Sequence, residues 1–183
     1  MTQAGLETGE RELIEACRRG ERDAFRVLFE AYKDKVYSIA LRFSADESLA
    51  MDIAQDTFLK LFSSLPQYRG DSAFSTWIYR LVVNACLDHK RRAWRVAPLA
   101  EGPIAMLRSP GDSLNALLES EMRSRVRAAV ETLSPDMRMV VVLRYTEGLS
   151  YEEIAEVMGC SEGTVASRLN RAHKALERKL SHV

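Results

Sequence analysis

Cysteine is scarce in this chain. Cys17, Cys86 and Cys160 are odd in number, stand far apart and form no CxxC pair. That argues against a disulfide framework or a zinc site and fits a reducing cytoplasm, with each thiol expected as a small buried side chain. Histidine is equally rare: His89, His173 and His182 show no metal-ligand spacing with acids or cysteines, so neither metal nor cofactor is expected. No nucleophile is paired with a base and no glycine-rich phosphate loop occurs, which makes an enzyme the least favoured class. No apolar run approaches the roughly 18 residues needed to span a bilayer. The start, MTQAGLETGERELIE, lacks a basic segment followed by an apolar one, so no signal peptide or membrane insertion is expected.

An excess of one charge is also missing, with 26 basic and 26 acidic side chains. The distribution is uneven, however. Residues 1–68 carry a balance of −3, residues 69–95 of +4, residues 96–163 of −5 and residues 164–180 of +4. Such a molecule is not drawn to nucleic acid by its overall field, but two local patches could meet it.

What the chain does have is 46% hydrophobic residues in helical period throughout, without a convincing alternating strand pattern. The expected fold is all-α: two helical domains joined by a flexible linker, with a helix-turn-helix in the second. The periodicity predicts helices over about 9–19, 22–43 and 47–65. Phe25, Leu28, Phe29, Tyr32, Val36, Ile39 and Ala40 fall on the buried side of the second. Ser44 and Glu47 have capping-box spacing before the third, which carries an apolar stripe of Ile53, Thr57 and Leu61. Pro66 stops it, PQYRGDS is a loop, and a fourth helix covers about 72–94. RVAPLAEGPIAMLRSPGDS then gathers Pro98, Gly102, Pro103, Pro110 and Gly111, too many breakers for helix. The expected domains are therefore 1–95 and 113–183, with 96–112 as linker.

The second unit is predicted to hold helices over about 113–133 and 135–146, with Ser134 as N-cap and Pro135 at the first helical position. Ser150-Tyr151-Glu152-Glu153 is a further capping box. It opens a short helix, Gly159-Cys160-Ser161 makes a tight turn, and Ser161 caps a longer helix. One face of that helix holds Val165, Leu169, Ala172 and Leu176. The other offers Thr164, Ser167, Arg168, Asn170, Arg171 and Lys174. In a DNA-binding helix-turn-helix the second helix enters the major groove. Thr164, Ala166, Ser167, Asn170 and Arg171 are placed for base edges, and Arg168, Lys174, Arg178 and Lys179 for phosphates. In DSAFSTWIYRLVVNACLDHKRRAW, Arg80, Asn84, Asp88 and Arg91 share a helix face. Aromatics are interleaved there with Arg69, Arg80, Lys90, Arg91 and Arg92, which suits stacked single-stranded bases.

MDIAQDTFLKLF, YRGDSAFSTWIYRLVVN and LSPDMRMVVVLRYTEGLSYEEIAEVMGCSEGTVASRLNRAHKALERKL, in that order, resemble the extracytoplasmic-function (ECF) sigma factors of bacterial RNA polymerase. The resemblance implies a promoter-specificity subunit that binds core polymerase, in a stress or envelope response under an anti-sigma factor. It implies that Asp52, Gln55, Asp56, Phe58 and Leu59 dock on the β′ clamp helices. Arg69, Ser75, Trp77, Arg80, Asn84, Lys90, Arg91 and Arg92 would melt and read the −10 element, with Asn84 at a position that meets a flipped-out base. The linker would run toward the active centre, and the first helices of the second unit would hold the β flap. Ser161, Thr164, Ala166, Ser167, Arg168, Asn170, Arg171 and Lys174 would read the −35 duplex. Ala166 stands where many members carry a basic residue. Two rival readings, a ligand-sensing regulator and an all-helical adaptor, leave the aromatic-basic segment or the capped turn without a purpose.

Overall fold

The structure is a computed structural model that describes residues 3–96 and 114–181, with side chains over 9–92 and 121–181. Eight α-helices and one 3₁₀ turn make up its regular elements, and no strand occurs among the described residues. The chain divides into two compact units at Cys86/Leu87, inside the fourth helix. The expected linker lies outside the described residues, apart from its first residue at the end of that helix.

The first unit contains α1 (Gln3–Arg18), α2 (Arg22–Ser44), α3 (Glu47–Ser64), the 3₁₀ turn Leu65–Gln67 and, up to Cys86, α4 (Phe74–Val96). α2 packs along α3, and α1 lies on α2 and the 3₁₀ turn. The core is formed by Leu28, Val36, Ile39 and Phe43 of α2, Ile53, Thr57 and Leu61 of α3, and Phe74, Ile78 and Val82 of α4, all essentially inaccessible. Thr57 belongs there because its hydroxyl donates to the Ile53 carbonyl at 2.7 Å, leaving no unpaired polar atom in the apolar stripe.

Three expectations need correction. Phe25 is only half-buried and Phe29 is 37% exposed, although both lie on the apolar arc of α2. The cap of α3 is Asp46, not Ser44: its carboxylate accepts from the Leu49 amide at 2.9 Å. Ser44 still belongs to α2, which ends where Ala45 turns left-handed at φ 59°. Finally, α1 begins before its expected start at Gly9.

The second unit contains α5 (Leu114–Glu131), α6 (Pro135–Tyr145), α7 (Tyr151–Met158) and α8 (Glu162–Leu180). α8 packs on all three of the others. Met139, Val140 and Leu143 of α6, Ile154 and Val157 of α7, and Val165, Leu169 and Ala172 of α8 form the core. Burying each of the larger side chains contributes about 1.5–3 kcal/mol. Pro135 occupies the first turn of α6 as expected, but the Ser134 side chain makes no capping bond. The Ser150–Glu153 capping box forms in both directions, at 3.1 and 2.7 Å.

Cys17 and Cys86 are buried and Cys160 is half-buried. Burial, with Glu21 adding to it, raises the Cys17 thiol, and burial pushes Cys86 up to about 12. Both therefore stay protonated and inert at neutral pH.

The two left-handed helix ends give a matched prediction. Ala45 holds a conformation that a Cβ disfavours, whereas Gly159 (φ 61°) holds it without one. Ala45→Gly should stabilise the first unit by about 0.5–1 kcal/mol, and Gly159→Ala should destabilise the second by about 1 kcal/mol. No atom lies within 4 Å of a Cβ built on Gly159, so the cost there is conformational rather than steric. Denaturation midpoints of the two variants, moving in opposite directions, check this.

Candidate polymerase and promoter interfaces

Three surfaces carry the residues singled out by the sequence. The first is an apolar groove of about 640 Å³ between α2 and α3. Its walls are Phe25, Phe29, Met51, Phe58, Leu59 and Phe62, with Lys33, Asp34 and Gln55 among its polar lining. Met51, Leu59 and Phe62 are 60–63% exposed, an unusual concentration of large apolar side chains in water. Two ring pairs fix its shape: Phe25 against Phe62 at 4.9 Å, and Phe29 against Phe58 at 4.7 Å.

Of the five residues expected here, Asp52, Gln55 and Leu59 are exposed and Asp56 is half-buried. Phe58 is 9% exposed and forms part of the groove's floor rather than a free contact. Sequence reasoning missed Phe25, Phe29, Met51 and Phe62. The available signal was width: α3 is apolar at Met51, Ile53, Ala54, Phe58, Leu59, Leu61 and Phe62, more of its circumference than one buried stripe needs.

The second surface is the 68–73 loop and the outer face of α4. Tyr68 packs on Phe74 (5.2 Å between ring centroids) and on Trp77 (5.1 Å), and its hydroxyl donates to the Ser72 carbonyl at 2.7 Å. Phe74 is fully buried. Trp77 is half-buried, so one part of its ring is accessible, and Arg69 is exposed in the loop. Asn84 is exposed although Val82, Val83, Ala85 and Cys86 around it are all buried. Helical geometry puts Arg80 about 6 Å along the same face. Ser75, Arg80 and Lys90 are half-buried, and Arg91 and Arg92 exposed. Arg91 meets Asp88 at 3.3 Å, so part of its charge is engaged within the helix.

The third surface is α8. Ser161 caps it, accepting from the Thr164 amide at 3.2 Å, and the two hydroxyls lie 3.0 Å apart. Ser167, Asn170, Arg171 and Lys174 are exposed on one side, and Thr164 and Ala166 half-buried beside them. The Arg171 Nε donates to the Ser167 carbonyl at 3.3 Å, which lays its stem along the helix.

Arg168, expected to meet phosphate, is engaged within the second unit. Its Nη2 donates to Asp136 Oδ2 at 3.0 Å, Nη1 lies 3.8 Å from the Cys160 sulfur, and only 21% of the side chain is accessible. Asp136 sits in the first turn of α6, so this guanidinium ties α8 to α6.

Comparison with known proteins shows the family of the chain. Residues 28–96 match Sigma-70 region 2, and residues 123–176 match Sigma-70, region 4. The RNA polymerase sigma-H factor of Pseudomonas aeruginosa is 37% identical, over 93% of both chains. The ECF RNA polymerase sigma-E factors of Salmonella typhimurium and Escherichia coli are 35% identical over 92% of both chains. The chain belongs to the ECF sigma factors. As such it is a promoter-specificity subunit of RNA polymerase, a transcription initiation factor that binds core polymerase and promoter DNA. CnrH, solved in complex with the cytosolic domain of CnrY, superimposes with a TM-score of 0.66 at 26% identity, over 93% of this chain and 96% of that one. RpoE of Bartonella quintana, solved with the anti-sigma factor NepR, shares the fold with a TM-score of 0.65 at 22% identity, over 86% and 97%.

The Arg168 geometry gives a prediction for this sigma factor. In a double-mutant cycle with Asp136→Ala, Arg168→Ala should show a coupling of about 0.5–1 kcal/mol in the stability of the second unit. The salt dependence of DNA binding should not change with Arg168→Ala, as it would for a phosphate contact.

Proposed function

We propose that this sigma factor docks on core polymerase through the α2/α3 groove and reads its promoter with two further surfaces, one for each element. Under this reading residues 1–95 act as the clamp-binding and −10 domain and 113–183 as the flap-binding and −35 domain, with 96–112 as the connection. The observation that carries it is the sidedness of α8: Val165, Leu169 and Ala172 are wholly buried while Ser167, Asn170, Arg171 and Lys174 stand in water. A helix held by one side and furnished with amide and guanidinium groups on the other is suited to a major groove.

The −10 surface works by different chemistry. Asn84 can hydrogen-bond an extruded base, and the Tyr68–Trp77 cluster offers ring faces against which unpaired bases can stack. The apolar groove suits a helical partner that lays an apolar face into it, as the β′ clamp helices would. An anti-sigma factor competing for the same groove is the second expected partner; support comes from CnrH, whose solved form carries a second chain. No helix among the described residues is long and apolar enough to cross a membrane, and the site of action proposed is the cytoplasm. The role proposed is recognition and assembly, with no chemistry of its own.

Run-off transcription with core polymerase, with and without this protein, over promoters bearing each single −10 and −35 substitution tests the reading. Arg171→Ala should relax discrimination at one −35 base pair by about 1–3 kcal/mol. Lys174→Ala should weaken all promoters alike and lower the salt slope by about one ion. Uniform losses in both variants would leave α8 without a base-reading role. Asn84→Ala should cost about 1–3 kcal/mol on bubble templates with one particular −10 base and little on the other three. Equal losses on all four bases would remove its specific partner.

A further inference from the structure

Arg18 belongs to none of the surfaces above, yet its guanidinium joins α1 to the loop that leads into α4. Its Nη1 meets Glu15 Oε1 at 2.6 Å, Nε donates to the Leu65 carbonyl at 3.5 Å, and Nη2 donates to the Tyr68 carbonyl. Both carbonyls lie where helical backbone gives out: Leu65 opens the 3₁₀ turn and Tyr68 follows its end. The Leu65 carbonyl already accepts from the Tyr68 amide and takes the guanidinium as a second donor, whereas the Tyr68 carbonyl lies past the end of the turn. A planar fork with five N–H groups can reach both carbonyls at once while a carboxylate fixes its other edge, and a single ammonium cannot reproduce that geometry.

Tyr68 carries the constraint forward. Its amide returns to the Leu65 carbonyl at 3.1 Å, its hydroxyl closes on the Ser72 carbonyl, and its ring rests on Phe74 and Trp77. Arg69, Gly70 and Asp71 are thereby gathered into one turn, in which Gly70 adopts φ 80°. An unbroken series of contacts thus runs from Glu15 through Arg18 and Tyr68 to Ser72, at the threshold of α4.

We propose that Arg18 is a positioning residue for −10 reading: it sets the 65–73 loop in its base-receiving form before DNA arrives. The inference rests on the −10 role proposed for this loop and α4. Ordering a loop on binding costs affinity for the correct base that a preset loop retains.

The test uses the full chain, alone and in holoenzyme, with Arg18→Ala, Arg18→Lys and Tyr68→Phe. Arg18→Lys keeps the charge and loses the fork, and Tyr68→Phe keeps the ring and loses the closure. Amide hydrogen exchange of residues 65–73 in the free protein should accelerate in all three, with α2 and α3 unchanged. On forked templates carrying each −10 base in turn, discrimination by the holoenzyme should fall about tenfold in both Arg18 variants, the loss expected for a charge-assisted hydrogen bond. It should fall in the same sense in Tyr68→Phe, while affinity for core polymerase and for the −35 duplex stays constant. Wild-type discrimination in Arg18→Lys would show that only charge matters and would overturn the proposal. Unchanged exchange, or faster exchange with unchanged discrimination, would overturn it as well. Asn84→Ala on the same templates separates the two levels. If it loses affinity equally on all bases, the −10 reading itself fails, whatever the exchange data show for the loop.

Discussion

The second unit depends on one backbone conformation, the left-handed turn at Gly159. Three residues separate the last of α7 from the first of α8, and each has a separate task. Gly159 reverses the chain and returns its amide to the end of α7, Cys160 returns its own to the Ala155 carbonyl at 3.0 Å, and Ser161 caps α8. No free residue remains, so the angle between the two helices is set locally. The packing of α7 and α8 then decides which third of α8 is buried. Once Val165 and Leu169 are seated, Asn170 and Arg171 have no choice but to face water. The Arg168–Asp136 pair adds a strut from α8 to α6, so the polar face is presented on a platform held from two sides.

The first unit solves the opposite problem. It keeps large apolar side chains in water, as the docking proposed for the groove requires. An exposed arc of Phe29, Met51, Leu59 and Phe62 is a liability for a free protein. Its shape limits the liability: Phe25–Phe62 and Phe29–Phe58 edge contacts already bury one side of each ring. A net charge of zero suits this division. A strongly basic chain would bind DNA wherever it met it, whereas local patches on a neutral body need the polymerase to bring them to a promoter.

Much of this was legible in the sequence, and the misses share a cause. Periodicity identified the buried stripes of α3 and α8 because the helix period is fixed by backbone geometry alone. The same periodicity put Phe25 and Phe29 in the core, since an apolar arc lining a surface groove looks like one facing the interior. Two of the capping signals are also local, and Ser150 and Ser161 act as expected. The α3 cap shifted from Ser44 to Asp46 because the left-handed Ala45 is a structural event that no spacing rule registers. Arg168 lies at the border of two faces, and only the position of Asp136, 32 residues away in the chain, draws it inward. Arg18 was invisible for the same reason, its carbonyl partners lying 47 and 50 residues on. Asn84 was legible because it breaks an apolar run, and it is indeed the exposed notch of that run.

The two surfaces proposed for DNA differ in a way that follows from the state of the strand each would meet. A paired base shows only its edge, so α8 needs hydrogen-bonding groups of fixed direction, and its outward face has no aromatic residue among Ser167, Asn170, Arg171 and Lys174. An extruded base also shows its ring face, which rewards stacking, and here Tyr68 and Trp77, both half-buried, lie 5.1 Å apart, backed by the buried Phe74. Stacking alone tolerates any base. Selectivity in such a site therefore has to come from a polar group held at a fixed distance from the rings. Asn84 can supply the group; α4 fixes its distance from Trp77, while its distance from the Tyr68 ring depends on the loop that Arg18 contacts. Selectivity for an unpaired base would thus rest in part on a contact that never touches DNA, whereas α8 carries its selectivity in the side chains that would do the touching.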